Sequence, residues 1–255
     1  MHRCYVDPSI WNESEIHLPS DTEHHLVNVL RVSEGEMVEV FDGKGRHGSA
    51  QVDVARGRKA ILKLSGSELS PKPGFSISLM QALPKGSRMD LIVEKATELG
   101  VSSIYPVMTE RVVVRINDRE KREERRDRWQ RIAIRAAEQC GVNWVPEVKP
   151  LDDLSRIVSM GQNFDLFLVG ALTGDAQPLH EVMNRVVAEK KRSAVLLVGP
   201  EGDLTQLELK LSMDAGAIPV SFGANVFRVE TAAIFGISVL AYEFSSLMGM
   251  RNLNG

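Results

Sequence analysis

From residue 75 onward the sequence returns again and again to short apolar runs of strand length: FSISLMQAL from 75, SIYPV from 103, FDLFLV from 164, AVLLV from 194 and IPVSF from 218. They are nearly continuous in apolar residues instead of alternating, so they need cover on both faces. Between them lie segments of helical length, near 119–140, 178–190, 205–215 and 229–246, preceded by Ser87 to Leu99. In that first segment Met89, Ile92, Val93, Ala96 and Leu99 form one apolar stripe, and Ser87 with Asp90 reads as a capping pair. Strands alternating with helices predict an α/β architecture, a parallel sheet with helices on both faces. In open sheets of this kind ligands bind beyond the carboxyl ends of the strands. Three loops fall there: GALTGD after 169, GPEGD after 198 and FGANVFRVET after 221.

The first 70 residues follow a different rhythm. EMVEVFD, SAQVDVA and KAILKL alternate, with GKG as a turn, and predict a small β-barrel or sandwich. One brief helix interrupts it: Ser20 and Glu23 read as a capping box ahead of HHLVNVLRV, whose Leu26, Val29 and Leu30 share a face. The prolines and glycine of LSPKPG, 69–74, mark a boundary, so the domains are expected at 1–70 and 74–255. A chain of 255 residues with 25% charged residues and a formal net charge of -3 is ordinary for a globular protein. That balance gives no hint of a nucleic-acid partner, so any such hint must be local. Cys4 and Cys140 form no C-x-x-C pair and lie near no histidine at metal-ligand spacing, which argues against a disulfide framework or a metal and fits a reducing cytoplasm. The longest apolar stretch, AAIFGISVLAY, falls short of the roughly 20 residues of a membrane span, and the N-terminus has no signal-peptide core.

The loop in LLVGPEGDLTQLELK, 196–210, is a strand-to-helix turn with a carboxylate at its tip. Such turns usually hold phosphate, which Glu201 would repel, and no Lys follows Gly202 as a P-loop requires. Gly199, Pro200 and Gly202 stiffen the loop and let a ligand approach the main chain, so the loop either suits a neutral or cationic ligand or is a tight turn whose glutamate is solvated. Arg228, Glu230 and Thr231 gather where an apolar helix begins, as either a structural ion pair or part of a site. Lys85 and Arg88 stand in the first turn of a helix, where the dipole disfavours cations. Residues 111–135 carry ten Lys or Arg against five Asp or Glu. That segment is either a solvated helix laced with pairs such as Glu124 with Arg128, or a nucleic-acid surface. No G-x-S-x-G, H-E-x-x-H or Cys-His pair supports a hydrolase or metalloenzyme.

LLVGPEGDLTQLE, FGANVFRVETA, PKGSRMDLIVEKATELGV and AAEQCG together resemble the SPOUT-class methyltransferases that methylate N3 of a uridine in small-subunit ribosomal RNA. HHLVNVLRV with VEVFDGKG resembles the PUA-like barrel that precedes their catalytic domain. The resemblance runs nearly the full length in the right order. It implies a trefoil-knotted parallel sheet preceded by a small PUA-like β-barrel domain, in a homodimer that binds S-adenosylmethionine. Gly199, Pro200, Glu201 and Gly202 would form one cofactor loop, Phe222, Gly223, Val226, Phe227 and Arg228 another, with Gly170 in the third and Thr231 at the following helix. The sulfonium of this cofactor is cationic, which makes Glu201 tolerable; its carboxylate is expected to brace the loop.

N3 of uracil is a poor nucleophile until its proton leaves, so a mechanism is expected from the chemistry of the transfer. Arg228 would stabilise negative charge on the uracil carbonyls, and Glu230 would orient that arginine or accept the N3 proton. The target base must be unpaired or extruded, with His25, Arg31, Lys85, Arg88 and Arg111 holding RNA. The chain departs from the pattern at Asp203, where glycine is usual, at Phe227, where leucine is common, and at Val142, where arginine is usual. The last departure keeps a catalytically inactive RNA-binding module as the alternative. A nucleotide-dependent metabolic enzyme is the more distant rival, since the phosphate fingerprint is missing.

Overall fold

The computed structural model describes residues 1–53, 60–189 and 191–247. The outer ends of two expected strands (54–55 and 59), the last residue of the 178–190 helix and residues 248–255 of the expected second domain lie outside the described residues. The chain divides into two units, Met1–Lys72 with Ile134–Val145, and Pro73–Ala133 with Pro146–Gly255.

In the first unit β1 (Arg3–Tyr5), β2 (Glu15–His17), β3 (Met37–Phe41), β4 (Arg46–Asp53) and β5 (Ile61–Leu69) form one sheet in the order β1-β3-β4-β5-β2. Among the described residues the β1 and β3 pairing is parallel and the other pairings of this sheet are antiparallel. Alternating residues of β3 and β4 turn inward, so Val38, Val40, Ala50 and Val52 build the core with Ile16, Leu26 and Leu62. The segment Ile134–Val145 joins this unit through specific bonds. Arg3 Nη1 donates to Ala137 O at 3.1 Å, Tyr5 N to a Glu138 carboxylate oxygen at 2.9 Å, and Gly45 N to Asn143 O at 2.9 Å. At position 142 the side chain is valine, and its carbonyl accepts from Arg3 Nη1 at 3.5 Å. Burial, and after it the Glu138 carboxylate, pushes the Cys4 thiol up to about 12.

The brief helix differs from expectation. α1 covers only Ser20–His24 and runs into a π-helical turn, His25–Val29. The wider turn shifts the phase of the side chains, so Leu26 is buried while Val29 is 57% exposed. Glu23 does not close a capping box; its carboxylate accepts from Ala60 N at 2.8 Å.

The second unit holds β6 (Ser76–Ala82), β7 (Ser103–Met108), β8 (Glu147–Val148), β9 (Asp152–Asp153), β10 (Leu166–Gly170), β11 (Gln177–Pro178), β12 (Ser193–Val198) and β13 (Ile218–Ser221). They form a sheet in the order β11-β13-β10-β12-β6-β7-β8, with β9 also on β7, and every pairing is parallel. The helices are α2 (Arg88–Glu98), α3 (Arg119–Cys140, whose residues from Ile134 on belong to the first unit), α4 (Leu154–Ile157), α5 (Leu179–Ala188), α6 (Gln206–Asp214) and α7 (Val229–Leu247). Met80, Val107, Phe167, Val169, Val195 and Leu197 pack with Leu154, Val158 and Leu204 on one face. The other face carries α7, whose Gly236 lies so close to β12 that a Cβ there would come within 2.5 Å of Leu196 Cδ2. Full burial of each large apolar side chain in such a core contributes about 1.5–3 kcal/mol.

The stripe of α2 buries Met89, Ile92, Val93 and Ala96, with Leu99 at its C-cap half-buried. The Ser87 and Asp90 capping pair does not form: Ser87 makes no side-chain cap, and Asp90 pairs with Arg128 instead. A full cation across the way outbids a neutral amide for the carboxylate. Thr205 and Glu208 do form a complete capping box at α6.

Candidate active site

Because all strands of the second unit run the same way, their carboxyl ends gather along one edge of the sheet. In register, β13, β10, β12 and β6 are consecutive neighbours, so the loops that follow them are consecutive too. The loops after β13, β10 and β12, with Arg88 at the start of α2, line a cavity of about 490 Å³. That size is within the range of pockets that hold a small organic molecule.

Each loop contributes in its own way. After β10 the cavity wall is Gly170, Ala171 and Leu172. A Cβ on Gly170 would stand 3.1 Å from the Phe222 ring, so a side chain there would push that ring out of place. After β12 the wall is Gly199, Pro200, Glu201 and Asp203. Asp203 holds φ at 59°, a left-handed conformation that suits glycine, and its Oδ1 accepts from Leu204 N at 2.8 Å. This is the physical sense of the glycine usual at that position. After β13 the wall runs through Phe222, Gly223, Asn225, Val226, Phe227 and Arg228 to Glu230 and Ala232 on α7. Gly223 has φ of 122°, which lets the loop turn back over the pocket. Phe222 and Phe227 stack with centroids 6.4 Å apart, and Phe235 meets Phe227 edge-on at 5.3 Å.

The charges are organised around Arg88, which enters the same cavity from the start of α2. Its Nη1 donates to Glu201 at 2.6 Å, and its Nε lies 3.5 Å from Glu230 Oε2. Glu201 also accepts from Lys85 N at 2.9 Å. Burial raises the pKa of Glu201, yet the Lys85 and Glu201 N–H groups and the Arg88 guanidinium outweigh it and hold the carboxyl below its usual range. The carboxylate at the loop tip therefore straps the GPEG loop to the start of α2. From behind, Arg111 Nη1 donates to Gly202 O at 2.8 Å, and Glu208 Oε1 accepts from Glu110 N at 2.7 Å.

Of the residues singled out from the sequence, Gly170, Gly199, Pro200, Glu201, Phe222, Gly223, Val226, Phe227, Arg228 and Glu230 all line this one cavity. Gly202 and Thr231 are not among its walls: Gly202 faces Arg111, and Thr231 is exposed on the first turn of α7. The cation that meets Glu230 is Arg88, whereas the Arg228 side chain makes no ion pair or hydrogen bond among the described residues. Arg88 thus belongs to the cavity, with its charge taken by two carboxylates. Lys85 and Arg111 are exposed beside the loop they brace, and Arg31 is exposed in the first unit with φ of 56°. The side chain of His25 lies outside what the structure describes. Sequence reasoning missed Leu172, Asn225 and the Arg88 bridge; the bridge had a signal, an arginine where the helix dipole disfavours one. No group of residues suited to a metal ion occurs among the described residues, and no described helix is long and apolar enough to cross a membrane.

Comparison with known proteins identifies the arrangement. The RNA methyltransferase domain family matches residues 70–241, and the RNA methyltransferase PUA domain family matches residues 18–65. A ribosomal RNA small subunit methyltransferase E from Synechocystis is 32% identical over 91% of this chain and 74% of its own length. The protein of that name from Bacillus subtilis is 28% identical over 89% of each chain. The crystal structure of a ribosomal RNA small subunit methyltransferase E from Neisseria gonorrhoeae bound to S-adenosyl methionine superposes with a TM-score of 0.83 at 31% identity, covering 95% of this chain and 97% of that one. The chain therefore belongs to this family of RNA methyltransferases with an N-terminal PUA domain, the family its loop motifs resemble.

Proposed function

We propose that the protein transfers a methyl group from S-adenosylmethionine to N3 of a uridine in small-subunit ribosomal RNA. The observation that carries this reading is the single cavity assembled from the 170–172, 199–203 and 222–230 loops. Its chemistry fits the cofactor: glycine-rich backbone for close approach, apolar rings for an adenine, and carboxylates where a phosphate would be repelled. The Neisseria relative binds that same molecule. The trefoil knot and the homodimer are part of the same reading. Exposed apolar groups on and beside α7, Val226 at 74%, Phe235 at 38% and Tyr242 at 74%, support a second copy covering this side.

The bound cofactor supplies an electrophilic methyl group on a cationic sulfonium. The chain supplies the rest: backbone of Gly170, Gly199 and Gly223 to hold the donor, and Phe222 and Phe227 to flank it. N3 of uracil bears a weakly acidic proton, so the acceptor needs an anion stabiliser and a proton acceptor. Arg228 is a cation on the cavity wall with no partner of its own among the described residues, which suits it to developing charge on the uracil carbonyls. The Glu230 carboxylate lines the cavity and accepts no hydrogen bond at Oε2 among the described residues, with Arg88 Nε 3.5 Å from that oxygen, which suits Glu230 to receive the N3 proton. Lys85, Arg111, Arg31 and His25 would contact RNA backbone.

The test is methyl transfer from labelled S-adenosylmethionine to small subunits from cells lacking the protein, with nucleoside analysis of the product. N3-methyluridine is the expected product, and Arg228→Ala is expected to lower turnover by roughly 100-fold or more. No incorporation despite cofactor binding would replace this reading with an RNA-binding module.

A further inference from the structure

Helix α3 divides its arginines by face. Arg122, half-buried, donates from Nε to Ile116 O at 2.6 Å and from Nη1 to Leu151 O at 3.2 Å. Arg119 pairs with Glu123 at 2.9 Å, and Arg126 pairs with Asp127. These cations are already bonded or paired within the chain. Lys121, Arg125, Arg128 and Arg131 are all exposed and recur every three or four residues, which places them on one side of the helix. Three of them, Lys121, Arg125 and Arg131, have no ion pair or side-chain hydrogen bond among the described residues. The pairing of Glu124 with Arg128 that would make this a self-neutralised surface does not form, because Arg128 goes to Asp90.

Like charges three and four residues apart cost a few tenths of a kcal/mol each, and cations in the first turns of a helix also oppose its dipole. Among the described residues the fold uses one cation of this row, Arg128 on Asp90, and Glu124 is the acidic residue on the same side of the helix. Its spacing along the axis is about 4.5–6 Å per step, a density of positive charge that matches a polyanionic strand. Asp90, which holds Arg128, lies two residues from Arg88, so the row is anchored to the helix whose first turn lines the cavity.

We propose that this face of α3, carried by Lys121, Arg125, Arg128 and Arg131, is a sequence-independent docking surface for the sugar-phosphate backbone of RNA. The proposal rests on the RNA methyltransferase reading given above. The charge complementarity is electrostatic and non-directional, so the surface positions the RNA and leaves choice of the base to the cavity.

The test compares the full chain with the variant Lys121→Gln, Arg125→Gln, Arg131→Gln, which alters only exposed cations without a partner among the described residues. Binding of a small-subunit ribosomal RNA transcript is measured across a salt series, and S-adenosylmethionine affinity is measured in parallel. The variant is expected to lose on the order of tenfold or more in RNA affinity at low salt, with the slope of log K against log salt shallower by about two. Its cofactor affinity is expected to stay unchanged. A control, Lys95→Gln, Lys149→Gln, Arg156→Gln, removes the same net charge from cations already paired with carboxylates. An unchanged slope in the first variant, or an equal loss in the control, would overturn the α3 surface and leave the methyltransferase reading standing. A wild-type chain that binds no RNA at any salt would sink both.

Discussion

The Glu201 carboxylate accepts from Lys85 N at 2.9 Å and from Arg88 Nη1 at 2.6 Å. Its folded-state pKa lies below the usual carboxyl value because Lys85 N–H and Arg88 favour the ionised form more than burial opposes it. The unfolded chain therefore binds the proton more readily than the folded one. The contribution to stability is present above about pH 4.5 and is lost as pH falls through the lower folded value. Glu201→Gln keeps an acceptor for Lys85 N–H but removes the charge that faces Arg88. It is expected to cost about 0.5–1 kcal/mol at neutral pH and to flatten the acid limb of a stability curve measured by urea unfolding from pH 3 to 7. An acid limb as steep as wild type would show that the strap adds nothing. At this scale the residue types were legible, since a Gly-Pro-Glu-Gly turn without lysine excludes phosphate on chemistry alone. The partner was not, because Arg88 lies 113 residues from Glu201.

The elements were legible where their period was strong and misread where two periods compete. The continuous apolar strands β6, β7, β10, β12 and β13 stand where the sequence places them, because a run that must be covered on both faces has few alternatives. Capping was harder: Asp90 and Glu23 were both claimed by distant partners, Arg128 and Ala60 N, instead of their own helix ends. Close approach of two strands was invisible as well. On β4, a Cβ at Gly48 would meet Gly66 O at 2.2 Å, backbone that cannot step aside without parting the β4 and β5 ladder. Gly48→Ala is therefore expected to destabilise the first unit by about 1–3 kcal/mol, read as an early transition in thermal unfolding followed by amide exchange in β3 to β5. Unchanged protection there would show that the strands can separate at no cost.

For the whole molecule, a cofactor that binds only the folded chain must raise its stability by mass action. At 100 times its dissociation constant S-adenosylmethionine is expected to add about 2.7 kcal/mol, a rise in melting temperature that NAD or ATP should not reproduce. A shift with either nucleotide and none with S-adenosylmethionine would return the chain to the class of nucleotide-dependent enzymes. By itself the sequence determined the class of the long strands and helices of the second unit, the parallel sheet and the loops at its carboxyl edge, since periodicity and backbone chemistry are local properties. Tertiary structure alone decided strand order, and with it that loops from 170, 199 and 222 share one cavity. It also decided which cations are bonded within the chain, as Arg88 and Arg122 are, and which have no partner among the described residues, as Arg125, Arg131 and Arg228. The physical reason is that an ion pair depends on distance in space, and no spacing in a sequence records which carboxylate folding will bring within reach.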